Sequence, residues 1–199
     1  MSKIALCYSF NTNKTSLAAK KIAEAFGKDR VELVNAEDIT PEKFLSYTEY
    51  IMGVPTWFDG ELPNYWDEFI PALEDLDLKG RKFALFGNGD QKGYPENFVD
   101  GIGIMAAVLE KCGGTLIGTT SVDGYSFERS KACRGDKFAG LALDFENQGK
   151  LINQKITDWV DQLKKEFQVQ LQEPRAKNKE QRQKNKEQRK KNKDKRYKK

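Results

Sequence analysis

The sequence predicts an α/β protein: a doubly wound, five-stranded parallel sheet in three layers, with strand order 2-1-3-4-5. Three observations lead there. Short apolar runs of strand length alternate with segments whose apolar residues recur at helical spacing. Polar or glycine-rich loops follow the first, third and fourth runs. Right-handed crossovers then distribute the helices over both faces of one parallel sheet.

Lys3 to Ser9 reads as a buried strand, Phe10 to Lys14 as a polar loop, and Thr15 to Phe26 as a helix with Leu17, Ala18, Ile22, Ala25 and Phe26 at helical spacing. Val31 to Asn35 predicts the second strand and Pro41 to Tyr47 a short helix. Tyr50 to Val54 is the third strand, stopped by Pro55, which has no N–H for a ladder. Gly60 lets the next loop turn sharply. Pro63 to Leu76 predicts a single helix with Trp66, Phe69, Ile70 and Leu73 on one face. Lys82 to Gly87 is the fourth strand and leads into G-N-G-D-Q-K-G-Y-P-E-N-F. Phe98 to Lys111 predicts a helix closed by Gly113 and Gly114. The fifth strand begins at Thr115, and the polar insert Val122 to Asp136 interrupts it before apolar residues resume at Phe138 to Leu143. Leu151 to about Phe167 is the last helix, with Ile152, Ile156, Trp159, Val160 and Leu163 inward.

Nothing reads as a signal peptide or membrane span, because the first apolar run, Ile4 to Tyr8, is only strand-sized. A cytoplasmic location is the expectation. Cys7, Cys112 and Cys133 are odd in number without C-x-x-C spacing, and there is no histidine, which argues against structural disulfides and zinc. Cys7, on a strand, reads as a small buried hydrophobe. The net charge of +4 conceals a division: Glu173 to Lys199 holds 14 Lys and Arg against 4 Asp and Glu, or +10, leaving −6 on residues 1–172. An acidic domain, 1–172, and a basic tail, 173–199, are expected.

In an open α/β sheet, ligands bind outside the carboxyl ends of the strands. Ser9 to Thr15, S-F-N-T-N-K-T, puts hydroxyls, an ammonium and backbone N–H groups at a helix N-terminus, where the peptide dipoles favour an anion. It matches neither a Walker loop nor G-x-G-x-x-G. Taken alone it is equally well explained as an ordinary helix cap, and Trp57 alone as a lid on the core. The loops after strands one, three and four converge on one edge, however. Trp57 and Tyr94 flanking a slot beside an anion site would suit a flat heterocycle bearing one phosphate.

These residues resemble a known family, the flavodoxins of the long-chain type, over about residues 3–168. The resemblance rests on G-V-P-T-W-x-x-G-E-L at Gly53 to Leu62, G-x-G-D-Q-x-G-Y-x-x-N-F at Gly87 to Phe98, D-G-Y-x-F-x-x-S-K-A at Asp123 to Ala132, and G-L-A-L-D-x-x-N-Q at Gly140 to Gln148. The insert Val122 to Asp136 is similar to the loop that separates long-chain from short-chain members. The resemblance implies a low-potential electron carrier with non-covalent FMN, moving one electron at a time and catalysing no reaction of its own. It implies that Phe10, Asn11, Thr12, Asn13, Lys14 and Thr15 surround the phosphate. Pro55, Thr56, Trp57, Phe58 and Asp59 would line one side of the flavin, with Tyr94 stacked on the other. Asn88, Gly89 and Asp90 would address the pyrimidine edge, with Asn97 nearby. The Phe58–Asp59 peptide would rotate with redox state, helped by the tolerance of Asp for positive φ.

The sequence departs from the family at the phosphate loop, usually close to G-[ST]-x-T-G-x-T. Here Ser9 and Asn13 replace glycines and Phe10 replaces a hydroxyl. Backbone N–H groups do most of the holding in such a loop, Asn tolerates left-handed angles, and Lys14 is available. Two alternatives stay open: a flavin-dependent reductase, and a scaffold or binding protein that keeps the fold with a weakened site.

A monomer is expected, served by redox partner proteins, a flavodoxin reductase and acceptor enzymes. Asp59, Glu61, Asp67 and Glu96 near the flavin edge imply a basic partner face and salt-sensitive association. Lys177 to Tyr197 is three heptads with no apolar residue before Tyr197, which excludes a coiled coil. Glu180, Glu187 and Asp194 each have a lysine four residues on, so the tail reads as disordered or as a fraying helix. It is either a bare solvated tail or a tether to nucleic acid, an anionic membrane or an acidic protein.

Overall fold

The computed structural model describes residues 3–169. The chain divides into two units after Lys164. The expected tail, 173–199, and the boundary at 172 lie outside the described residues.

The first unit runs β1 (Ile4–Tyr8), α1 (Lys14–Phe26), β2 (Val31–Asn35), α2 (Pro41–Leu45), β3 (Glu49–Gly53), α3 (Asn64–Asp67), α4 (Ile70–Glu74), β4 (Lys82–Asn88), α5 (Asp100–Lys111) and β5 (Thr115–Ile117). It continues through β6 (Thr120–Ser121), β7 (Cys133–Arg134), β8 (Lys137–Phe138) and β9 (Leu141–Leu143) into α6 (Ile152–Val169), of which the part up to Lys164 belongs to this unit. The main sheet is parallel in the order β2-β1-β3-β4-β5, with helices on both faces. All five residues of β1 are buried, as a central parallel strand covered on both faces requires. Burial pushes the Cys7 thiol up to about 12, so Cys7 serves as a small core hydrophobe.

The fifth strand position is shared by two segments laid end to end along β4. β5 pairs with Lys82–Ala84 and β9 with Phe86–Asn88. The chain between them is the interruption expected from sequence. It is more than a polar loop: β6, β8 and β7 form a small antiparallel sheet. Beneath that sheet, Phe98, Phe127 and Phe138 pack with ring centroids 5.3 to 5.9 Å apart.

Three helix expectations are corrected. The single helix at Pro63–Leu76 is two short ones, because Pro71 has no N–H to donate and starts a new turn at α4. The helix expected from Phe98 begins at Asp100, after Val99 takes a left-handed backbone (φ 50°) that leaves both Phe98 and Val99 fully buried. In α1 the buried face is Thr15, Ser16, Ala18, Ala19, Ile22 and Ala23, while Leu17 is exposed. Small residues let α1 lie close on the sheet. Among the described residues, no helix is long and apolar enough to cross a membrane.

Candidate functional site

β2 lies on one side of β1 and β3 on the other. The connections leaving β1 and β3 therefore run to opposite sides of the sheet and leave a crevice at the carboxyl ends. A cleft of about 890 Å³ opens there, within the roughly 300–1,000 Å³ of small-molecule sites.

Its first wall is the loop after β1, folded around buried Ser9. The Ser9 carbonyl accepts from Thr12 Oγ1 at 2.8 Å, and its Oγ accepts the Asn11 N–H at 3.2 Å and donates to Glu37. Asn11 Nδ2 donates to the same carboxylate at 2.7 Å, and Asn35 Oδ1 accepts the Phe10 N–H at 3.2 Å. Polar side chains at the end of β2 and just beyond it thus shape a loop that glycines shape in the family pattern. Asn13 has right-handed angles (φ −83°), so the replacement needs no left-handed tolerance. The Asn13 side chain makes no capping bond, which leaves first-turn N–H groups of α1 for an external acceptor.

The second wall is the loop after β3. Thr56 Oγ1 accepts the Gly101 N–H at 2.9 Å, joining this loop to the start of α5. The Trp57 carbonyl accepts from Gly60 N at 3.2 Å and Glu61 N at 2.8 Å, closing a tight turn. Within it Phe58 is left-handed at φ 43° and Gly60 has φ 91°. The left-handed residue is therefore Phe58, whereas the sequence pointed to Asp59. The two bonds to one carbonyl set the sense of the turn. Trp57 stands edge-on to Phe58 and Tyr65, each 6.2 Å away, and keeps 36% of its surface exposed.

The third wall follows β4. Asp90 Oδ1 accepts N–H groups from Gly93 at 2.8 Å and Lys92 at 3.1 Å, and Asn147 Nδ2 at 2.8 Å. The Gly93 bond, first among these causes, holds the Asp90 carboxyl below the usual aspartate range. Tyr94, 64% exposed, projects from this loop. Asn88 on the floor donates to Thr15 Oγ1 at 2.9 Å, while its buried Oδ1 has no partner. Such an acceptor calls for a donor from whatever occupies the cleft.

Lys14 is the one basic side chain lining the cleft among the described residues, against Asp59, Asp90 and Glu146. It is ion-paired with Glu146, both side chains being partly exposed. A cleft with this balance disfavours added negative charge on its occupant.

The structure brings together around one cleft the expected Asn11, Thr12, Asn13, Lys14, Thr15, Pro55, Thr56, Trp57, Phe58, Asp59, Asn88, Gly89, Asp90, Tyr94 and Asn97. Phe10 is outside it: its ring, 48% exposed, leans 5.0 Å from Tyr8. Phe98 and Glu146 line the cleft and were missed. Glu146 lay just past the end of the resumed fifth strand, on the same carboxyl edge, and that position was the available signal.

The family model described as Flavodoxin matches residues 6–159. A flavodoxin from Trichodesmium erythraeum is 46% identical over 171 residues, covering 85% of this chain and 100% of that protein. One from Nostoc sp. is 44% identical over 165 residues, covering 83% and 97%. The crystal structure of Fusobacterium nucleatum flavodoxin bound to flavin mononucleotide is similar with a TM-score of 0.79 at 32% identity, covering 83% of this chain and 99% of that one.

Proposed function

Because this chain belongs to the flavodoxin family, we propose that it carries electrons on FMN held non-covalently in the cleft, and that it works as a monomeric cytoplasmic shuttle between a reductase and acceptor enzymes. The observation that carries the reading is the convergence of an uncapped helix N-terminus and two exposed aromatic rings on one cleft of about 890 Å³. The first-turn N–H groups of α1 receive the phosphate. Trp57 and Tyr94 would flank the isoalloxazine, and the orphaned Asn88 Oδ1 would accept a hydrogen bond from the bound FMN. FMN supplies the one-electron chemistry, and the protein supplies orientation and electrostatics. Asp59, Asp90 and Glu146 raise the cost of placing further negative charge in the cleft, favouring a low potential.

Asp59, Glu61 and Asp67 are exposed and offer an acidic face to a basic partner, while Glu96 lies 3.7 Å from Arg129 and contributes less. The basic segment 173–199 adds a tether to an anionic surface: nucleic acid, membrane or acidic protein.

The test is reconstitution of the full-length protein. It should emerge from gel filtration yellow with bound FMN, and bind FMN more tightly than riboflavin, which lacks the phosphate. A colourless protein that takes up no FMN at micromolar concentration overturns the reading. Equal affinity for the two flavins would remove the phosphate role of α1 alone.

A further inference from the structure

We propose that Lys131, in the insert between β6 and β7, is a positioning residue for the Trp57–Gly60 turn of the cleft; the inference rests on the FMN reading above. Lys131 Nζ donates to the Gly60 carbonyl at 3.3 Å and lies 3.4 Å from Asp100 Oδ2. Its backbone N–H donates to Asp100 Oδ1 at 2.7 Å. The Asp100 side chain is only 3% exposed, against 56% for Lys131. A buried carboxylate demands partners, so Asp100 fixes both the backbone and the ammonium of Lys131 and aims that ammonium at Gly60.

Two close approaches make the arrangement possible. A Cβ at Gly103 would come within 2.2 Å of the Lys131 carbonyl, so only glycine lets the insert lie this close to α5. A Cβ at Gly60 would come within 2.7 Å of Asp100 Oδ2, so the turn sits directly against the carboxylate. With its carbonyl drawn toward the insert and its N–H bonded to the Trp57 carbonyl, Gly60 is fixed at both ends. The Phe58–Asp59 peptide, which takes no part in these bonds, remains the adjustable part of the turn. The insert, which has no direct part in lining the cleft, thereby controls the shape of one of its walls.

The test compares full-length wild type with Lys131→Met and Lys131→Arg. Three quantities are read: the FMN dissociation constant, the separation of the two one-electron potentials, and amide hydrogen exchange at Gly60 and Glu61 relative to α5. Lys131→Met should weaken FMN roughly 3- to 10-fold, change the separation, and speed exchange at the turn but not in α5. Lys131→Arg should restore most of all three. If Lys131→Met fails to fold because Asp100 is left unpaired, Lys131→Met/Asp100→Asn removes that charge and is read in the same way. Unchanged affinity, separation and turn exchange overturn the proposal. So does a loss confined to the urea midpoint, which is what a merely structural contact would give. Wild-type protein that takes up no FMN defeats the functional reading instead.

Discussion

Phe58 and Val99 both hold left-handed backbones, and they do so on different terms. The conformation costs a non-glycine residue about 1–2 kcal/mol. Val99 is fully buried, and burying its side chain contributes about 1.5–3 kcal/mol in return. Phe58 is 75% exposed, and its packing is an edge contact with Trp57 at 6.2 Å, worth about 0.5–1.5 kcal/mol. Phe58→Asn, which keeps a side chain but tolerates positive φ, should therefore stabilise the FMN-free protein by about 0.5–1 kcal/mol in urea unfolding. A loss of stability would show that the ring contact outweighs the strain. This residue was visible in the sequence as part of the turn, but its backbone was not, because the turn's closure on the Trp57 carbonyl decides which residue is left-handed.

The loop after β4 is held by acceptors. Asp90 takes bonds from Gly93, Lys92 and Asn147, while Asn147 is itself bound to buried Asp144. Since the folded-state value of Asp90 is lowered from 3.8, its contribution to stability is fully present above that value. It is lost as pH falls further, through the lowered folded value. Urea midpoints measured from about pH 5 to about pH 3 should fall more steeply in wild type than in Asp90→Asn. The variant should be the less stable at the upper end, and the difference should narrow as the pH falls. Parallel curves would mean that Asp90 is not what acid removes. The glycines and aspartate of this loop were legible as a motif. Asn147 and Asp144 were legible only as part of another, since nothing local says that a loop after β9 supports one after β4.

On the scale of the whole molecule, charge is divided into −6 on residues 1–172 and +10 on 173–199. A tether acts on location and leaves the cleft's chemistry alone. Truncation after Gln172 should keep FMN affinity and both potentials unchanged, and abolish low-salt retention on heparin or anionic vesicles. If the truncated protein loses flavin, the tail belongs to the fold. If the full-length protein is not retained even at low salt, the tail is a solvated extension without an anionic partner.

Strand order, layer architecture and the position of the cleft were all contained in the sequence, because periodicity, loop composition and crossover handedness are local or nearly local signals. The three loops could be assigned to one edge because parallel strands all end there. What tertiary structure decided were the contacts between segments distant in the chain. Lys14, at the start of α1, is paired with Glu146, which follows β9. Glu37 and Asn35 shape the loop that lacks its glycines. The insert, which looked like a polar interruption, packs Phe127 against Phe98 and Phe138 of the main core and reaches Gly60 through Lys131. Each of these contacts depends on where two folded segments come to rest against each other, and a contact between residues 71 or 132 apart leaves no periodic trace in the chain that contains it.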